Sequence, residues 1–159
     1  MYGLIISLST QFRVQLLISP VPITAQTLTV LLAGVLLGPK RGSLAVITYL
    51  VFGTLGWLPF AGGALLGPTG GYLLGFVLSA YLVGVCTAKL PRKMWWSTPM
   101  VLLLGNAVIY LVGLPWLAFF IGWPLVLKAG LFPFVVGDLL KLVCAFGIWR
   151  VLDLEQRKE

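Results

Sequence analysis

The stretch Phe132-Pro133-Phe134-Val135-Val136-Gly137-Asp138-Leu139-Leu140-Lys141 places an acid and a base inside an apolar run that is long enough to cross a membrane. A charged side chain near the middle of a bilayer costs roughly 3 kcal/mol on insertion scales, so such residues usually face the interior of a helix bundle. Asp138 and Lys141 are three residues apart, which puts both on one face of a helix. The stretch therefore predicts a small polar site among membrane-spanning helices.

The composition around this stretch is that of an integral membrane protein. Of 159 residues, 60% are hydrophobic and 9% are charged, whereas a soluble domain carries about 25% charged residues. At about 20 to 25 residues per crossing, the chain holds six helices. We predict an all-α bundle of six transmembrane helices that forms one domain over residues 1–159. The net charge of +7 comes mainly from basic residues in short turns, which favours the positive-inside rule over nucleic-acid binding.

Clusters of proline and glycine divide the apolar runs into crossings. We place these at about residues 1–18, 27–37, 43–57, 72–88, 98–121 and 131–152, with Pro115 as a kink or break in the fifth. With six crossings, most basic residues fall on one side, which puts both termini in the cytoplasm. They are Lys40, Arg41, Lys89, Arg92, Lys93, Arg150, Arg157 and Lys158. Loops 19–26, 58–71 and 122–130 would then cap the bundle on the external side.

The polar residues within the predicted crossings each have two possible roles. Asp138 and Lys141 form either a structural ion pair or a binding pair for a small polar or anionic ligand. Asn106 lies inside the fifth crossing, with Tyr110 one turn later on the same face. Asn106 serves either as an interhelical hydrogen bond or as a ligand contact beside Asp138. The sequence leaves these alternatives open.

Glycine and other small residues carry weaker signals. The segment Gly67-Pro68-Thr69-Gly70-Gly71-Tyr72 lacks the lysine and the preceding strand of a phosphate loop. It is either a tight turn or a lid over a ligand. Small residues four apart, such as Gly34 and Gly38, favour ordinary helix packing. Gly3 and Ser7 in the first crossing could also receive the helix of a partner.

The inventory of reactive groups argues against catalysis. The chain has no histidine, and one acid, Asp138, lies within the predicted crossings. That leaves no serine dyad, no aspartyl pair and no metal cluster. Cys86 and Cys144 lie in apolar runs and are expected to be buried small hydrophobes. We expect neither a cofactor nor an enzymatic activity.

Four motifs together resemble the BioY family, the biotin-specific substrate-binding (S) components of energy-coupling factor (ECF) transporters. They are Pro20-Val21-Pro22-Ile23-Thr24-Ala25-Gln26-Thr27, Leu36-Leu37-Gly38-Pro39-Lys40-Arg41-Gly42, Gly67-Pro68-Thr69-Gly70-Gly71-Tyr72 and Gly137-Asp138-Leu139-Leu140-Lys141. The resemblance implies a six-helix bundle in the cell membrane that captures biotin from outside. It also implies partners: a transmembrane coupling subunit and two ATP-binding-cassette ATPases, which this chain would join as the subunit without ATPase activity.

The resemblance also implies the site. Asp138 and Lys141 match the last-helix motif and are expected to contact biotin. Asn106 and Tyr110 of the fifth crossing, which the spacing rather than the resemblance indicates, are further candidates for the site. Asp138, with Asn106, would take the ureido donors, and Lys141 would take either the carboxylate or the ureido oxygen. The proline loop and the glycine loop match the family's lid. The lid residues expected to contact biotin are Thr24, Gln26, Gly67, Pro68, Thr69, Gly70, Gly71 and Tyr72.

One departure concerns the first helix, where family members usually carry small residues that dock the coupling subunit. This chain offers only Gly3 and Ser7 there. Two rival functions are also considered. In one, the chain is a stand-alone secondary transporter that uses Asp138 as a proton-coupled carboxylate. In the other, it is a structural or assembly subunit with no ligand.

Overall fold

A computed structural model describes residues 1–58, 65–90 and 96–156, with side chains up to residue 153. Part of the predicted glycine-rich loop (59–64), part of the predicted basic turn (91–95) and the basic tail (157–159) lie outside the described residues. Within the described residues the chain is mainly helical. Its elements are α1 (Tyr2–Ser9), β1 (Arg13–Val14), β2 (Ile23–Thr24), α2 (Gln26–Thr54), α3 (Gly70–Lys89), α4 (Ser97–Ile121), α5 (Trp123–Gly130) and α6 (Phe132–Gln156).

Within the described residues, four stretches are long and apolar enough to cross a membrane. They are Gln26–Thr54, Gly70–Lys89, Ser97–Ile121 and Trp123–Asp153. Many of their large apolar side chains point away from the bundle. Leu111, for example, is 73% exposed and Phe119 is 87% exposed. An outer surface of this kind is expected where lipid rather than water surrounds a protein, and the chain is a multi-pass membrane protein.

Helix α2 folds back on itself at Gly38. Gly38 has φ 77° and ψ −179°, a conformation that is essentially restricted to glycine, and Pro39 follows without an N–H to donate. A Cβ on Gly42 would lie 2.8 Å from the carbonyl oxygen of Ala33. In a straight helix these two residues would be about 13 Å apart along the axis. The two arms of α2 therefore pack against each other, as the predicted tight turn at residues 38–42 requires.

Glycine and alanine let the helices approach closely. A Cβ on Gly34 of α2 would lie 2.7 Å from the carbonyl oxygen of Ala80 in α3. A Cβ on Gly3 of α1 would lie 3.2 Å from the carbonyl oxygen of Ala45, and Ser7 is only 1% exposed. Gly3 and Ser7 thus pack inside the bundle, which supports helix packing rather than a docking stripe on α1.

The first predicted crossing, residues 1–18, is wrong in its length. Helix α1 ends at Ser9, where the hydroxyl groups of Ser9 and Thr10 donate to the carbonyl oxygens of Ile6 and Ser7 at 2.6 and 2.7 Å. The chain then forms strand β1, which pairs antiparallel with β2. Hydroxyl groups at a helix end compete with continuation of the helix, and a short apolar run suits a strand as well as a helix.

The predicted external connection 122–130 also differs from the structure, because it contains helix α5. Gly122 has φ 79° and ends α4, and Pro124 lies in the first turn of α5, where a proline needs no hydrogen-bond donor. Pro115, predicted as a kink or break, lies inside α4, which continues as one helix to Ile121.

Several basic residues gather at one end of the bundle. A Cβ on Gly84 would collide with Pro39, so the last turn of α3, with Lys89, lies beside the turn that carries Lys40 and Arg41. A small cavity also joins the end of α3 to Trp149, the neighbour of Arg150. The two-stranded hairpin and the first half of α6 lie toward the opposite end, where the candidate site is found.

Candidate functional site

A cavity lies between the hairpin, α2, α3, α4 and α6. The space between its walls is about 520 Å³, a figure that includes the open mouth. Most of its exposed lining surface is apolar, although nine of the fifteen lining residues carry a polar or charged group. The lining residues are Val21, Pro22, Thr24, Gln26, Thr27, Thr69, Tyr72, Leu73, Phe76, Asn106, Ile109, Tyr110, Phe134, Asp138 and Lys141.

Asp138 is the centre of the polar groups. It is 5% exposed, and its Oδ1 accepts a hydrogen bond from Lys141 Nζ at 2.9 Å, one turn along α6. Its Oδ2 accepts from the hydroxyl of Tyr110 and from Asn106 Nδ2 at 3.4 Å, both on α4. The acid and base predicted on one helical face are thus paired, and α4 supplies the two neighbours that the sequence analysis expected.

The outer face of the same helix turn is apolar. Leu139 and Leu140, which follow Asp138 directly, are 54% and 65% exposed. The charges therefore point into the bundle while leucines point toward the surrounding lipid. This orientation is the one expected for ionisable groups within a membrane span.

Two buried polar atoms in this lining have no hydrogen-bond partner among the described residues. They are Gln26 Nε2 and Asn106 Oδ1, in side chains that are 2% and 8% exposed. The other end of the Gln26 amide is held, because Gln26 Oε1 accepts from the hydroxyl of Thr24 at 3.2 Å. Buried polar atoms are nearly always hydrogen-bonded in native proteins. This pair therefore offers one donor and one acceptor to a molecule inside the cavity.

The glycine segment contributes through its two larger residues. Thr69 and Tyr72 line the cavity, whereas Gly67, Pro68, Gly70 and Gly71 do not. The glycines instead allow close approach to α4.

Trp116 of α4 anchors the glycine segment. Its Nε1 donates to the carbonyl oxygen of Gly67 at 2.9 Å, and a Cβ on Gly71 would collide with its side chain. The hydroxyl of Tyr72 also donates to the carbonyl oxygen of Gly130 at 2.9 Å. The segment is therefore a tight turn that fixes the start of α3 beside the cavity, with Thr69 and Tyr72 as its contributions to the wall.

Comparison with known proteins identifies the family. The sequence model described as "BioY family" matches residues 1–157. The chain belongs to the BioY family. It is 42% identical over 134 residues to the biotin transporter BioY of Thermotoga maritima, an alignment that covers 80% of this chain and 78% of the relative. It is 38% identical over 138 residues to a probable biotin transporter BioY of Pyrococcus horikoshii, covering 84% and 81%.

A solved structure has a similar fold. The crystal structure of the S-component for biotin from an ECF-type ABC transporter superimposes with a TM-score of 0.82 at 29% sequence identity. The superposition covers 99% of this chain and 89% of that one. The fold of this chain is therefore similar to that of an ECF S-component.

Sequence reasoning missed the apolar wall of the BioY cavity. Val21, Leu73, Phe76, Ile109 and Phe134 all line it and are each no more than 7% exposed. Phe134 could have been predicted from the sequence, because it precedes Asp138 by four residues and so lies on the same helical face. The other four come from three further elements, and their convergence depends on how those elements pack.

Proposed function

We propose that this chain is the substrate-binding component of an ECF-type transporter, which captures biotin from outside the cell and carries it inward. The observation that carries the proposal is the paired Asp138, which lines one cavity with two buried polar atoms that have no partner among the described residues. The family match and the likeness to a biotin S-component support it. The relatives are named as transporters, and we propose transport rather than catalysis.

Biotin complements this cavity group by group. Its ureido ring has two N–H donors, which Asp138 and Asn106 Oδ1 can accept. Its ureido oxygen can accept from Lys141 and from Gln26 Nε2. Its sulfur-containing ring is apolar and suits the wall of aromatic and aliphatic side chains. We propose these roles for the four polar residues, with Tyr110 holding the Asp138 carboxylate in position.

The lid is the remaining part of the proposed site. Four lid residues would contact biotin directly, because all four line the cavity. They are Thr24 of β2, Gln26 at the start of α2, and Thr69 and Tyr72 of the glycine segment. Gly67, Pro68, Gly70 and Gly71 would act by shaping the segment. Their role in binding is therefore indirect, through the anchoring of that turn on α4.

We also propose a topology. The chain would form one domain of six crossings in the plasma membrane, with both termini and the basic turns in the cytoplasm. Two observations support this arrangement: α2 reverses at Gly38, and the described basic turns share the end of the bundle away from Asp138. The proposed partners are a transmembrane coupling subunit and two ATP-binding-cassette ATPases.

A vitamin screen tests the function. The purified chain, without ATPases, is heated with each of a panel of water-soluble vitamins, and the unfolding temperature is recorded. Because a ligand that binds only the folded state stabilises it, biotin alone should raise this temperature. A response to a different vitamin, or to none, would contradict the proposal. Biotin uptake by cells that lack the ATPases, abolished by a protonophore, would favour the secondary-transporter alternative.

A further inference from the structure

The charges at the floor of the cavity cancel. Asp138 and Lys141 form an ion pair at 2.9 Å, so together they provide no net charge for an anionic ligand. Biotin, however, carries a carboxylate at the end opposite its ureido ring. If the ring lies on Asp138, the carboxylate lies away from that pair, toward the mouth, and needs a separate cation there. This reasoning rests on the proposed function.

Arg13 lies directly opposite a residue of the cavity wall. In the hairpin, Arg13 is the register partner of Thr24, and the N–H of Ala25 donates to the carbonyl oxygen of Phe12 at 3.2 Å. Directly opposed residues of an antiparallel pair send their side chains to the same face, with Cβ atoms about 5 Å apart. Thr24 lines the cavity, so the face that carries Arg13 is the face that borders it.

The Arg13 side chain is available for an anion. It is exposed, and it forms no ion pair with any carboxylate in the described part of the chain. The other basic residue near this end, Lys128, borders a different cavity with Ile18 and Leu125. The remaining described basic residues outside the site, such as Lys40 and Lys89, lie at the opposite end.

We infer that Arg13 recognises the carboxylate of the bound ligand and makes the site selective for an acid over its uncharged amide. The guanidinium would form a charge-assisted hydrogen bond with a carboxylate oxygen when the ligand is in place. Lys141 is then left to the ureido end. The hairpin thereby contributes to ligand recognition. Strand β1 carries the Arg13 guanidinium beside β2, whose Thr24 lines the cavity.

The test compares two ligands that differ only at the tail. Affinities for biotin and for biotin's primary amide are measured by titration calorimetry on the purified full chain, at low and at high salt. For the unaltered chain, we expect biotin to bind about five- to tenfold more tightly than the amide at low salt. That preference should shrink at high salt, because the ion pair at the mouth is screened.

Arg13→Gln should abolish the preference while leaving the affinity for the amide unchanged, which also shows that the variant is folded. Arg13→Lys should retain part of the preference, and Lys128→Gln, the matched control, should retain all of it. An unchanged preference in Arg13→Gln would overturn the inference and leave the proposed function standing. Failure of the unaltered chain to bind either ligand would overturn both.

Discussion

Replacing Asp138 with asparagine should remove most of the biotin affinity. Asp138 is the carboxylate on which Lys141, Tyr110 and Asn106 converge, and in the proposed complex it accepts a ureido N–H. A hydrogen bond to a charged group contributes about 1.5 to 3 kcal/mol. Since about 1.4 kcal/mol corresponds to a factor of ten, Asp138→Asn should weaken biotin binding by roughly ten- to 150-fold.

The same change should destabilise the protein for a separate reason. The Lys141 side chain is only 15% exposed, and without Asp138 its ammonium loses the partner at 2.9 Å. Removing one member of a buried ion pair costs about 3 to 5 kcal/mol. The double variant Asp138→Asn/Lys141→Met removes both charges, so it should recover thermal stability without recovering biotin binding.

Titration calorimetry for affinity and thermal unfolding without ligand separate these two effects. Asp153→Asn is the matched control for affinity, because Asp153 is a second buried acid of α6 that lies outside the cavity. It should bind biotin as the unaltered chain does. A biotin affinity for Asp138→Asn within twofold of the unaltered chain would refute the assignment of Asp138 to the site.

Three further predictions concern binding and packing. Gln26→Leu should weaken biotin binding by about tenfold in calorimetry, with little change in the ligand-free unfolding temperature. The reason is that Gln26 Nε2 has no partner within the described structure to lose. An affinity equal to that of the unaltered chain would show that this amide does not face the ligand. Gly71→Ala should destabilise the chain by about 1 to 3 kcal/mol through overpacking against Trp116. Its control Gly147→Ala, where a Cβ meets nothing within 4 Å, should unfold at or above the original temperature; equal effects of the two would contradict the packing. Gly38→Ala should cost about 1 to 3 kcal/mol in thermal unfolding, because its φ of 77° and ψ of −179° suit glycine alone; a neutral result would argue against the reversal of α2 there.

The polar centre of the site could be predicted because it rests on helical periodicity. Asp138 and Lys141 lie one turn apart on α6, and Asn106 and Tyr110 lie one turn apart on α4, so the sequence spacing fixes each pair. The lipid environment also predicts which way these side chains face, because charged and amide groups in a membrane span turn toward the interior of the bundle. The spacing left open whether the pair on α4 meets the pair on α6, and the hydrogen bonds from Asn106 and Tyr110 to Asp138 show that it does.

The hairpin and α5 could not be predicted in the same way. Strands β1 and β2 have two residues each. An alternation of apolar and polar residues cannot be recognised over so short a length, and the apolar run before them is equally compatible with a helix. Gln26 Oε1 accepts from Thr24 of this hairpin, so spacing alone could not show that Gln26 Nε2 is left without a partner among the described residues. The apolar wall likewise depends on tertiary packing between separate helices, which no local pattern encodes.

A structure of the chain with biotin bound tests the central claim most directly. We predict that one ureido nitrogen lies within hydrogen-bond distance of the Asp138 carboxylate and the other within that distance of Asn106 Oδ1, inside the cavity between the hairpin, α2, α3, α4 and α6. Biotin bound outside this cavity, or with its ureido ring remote from Asp138, would contradict the account.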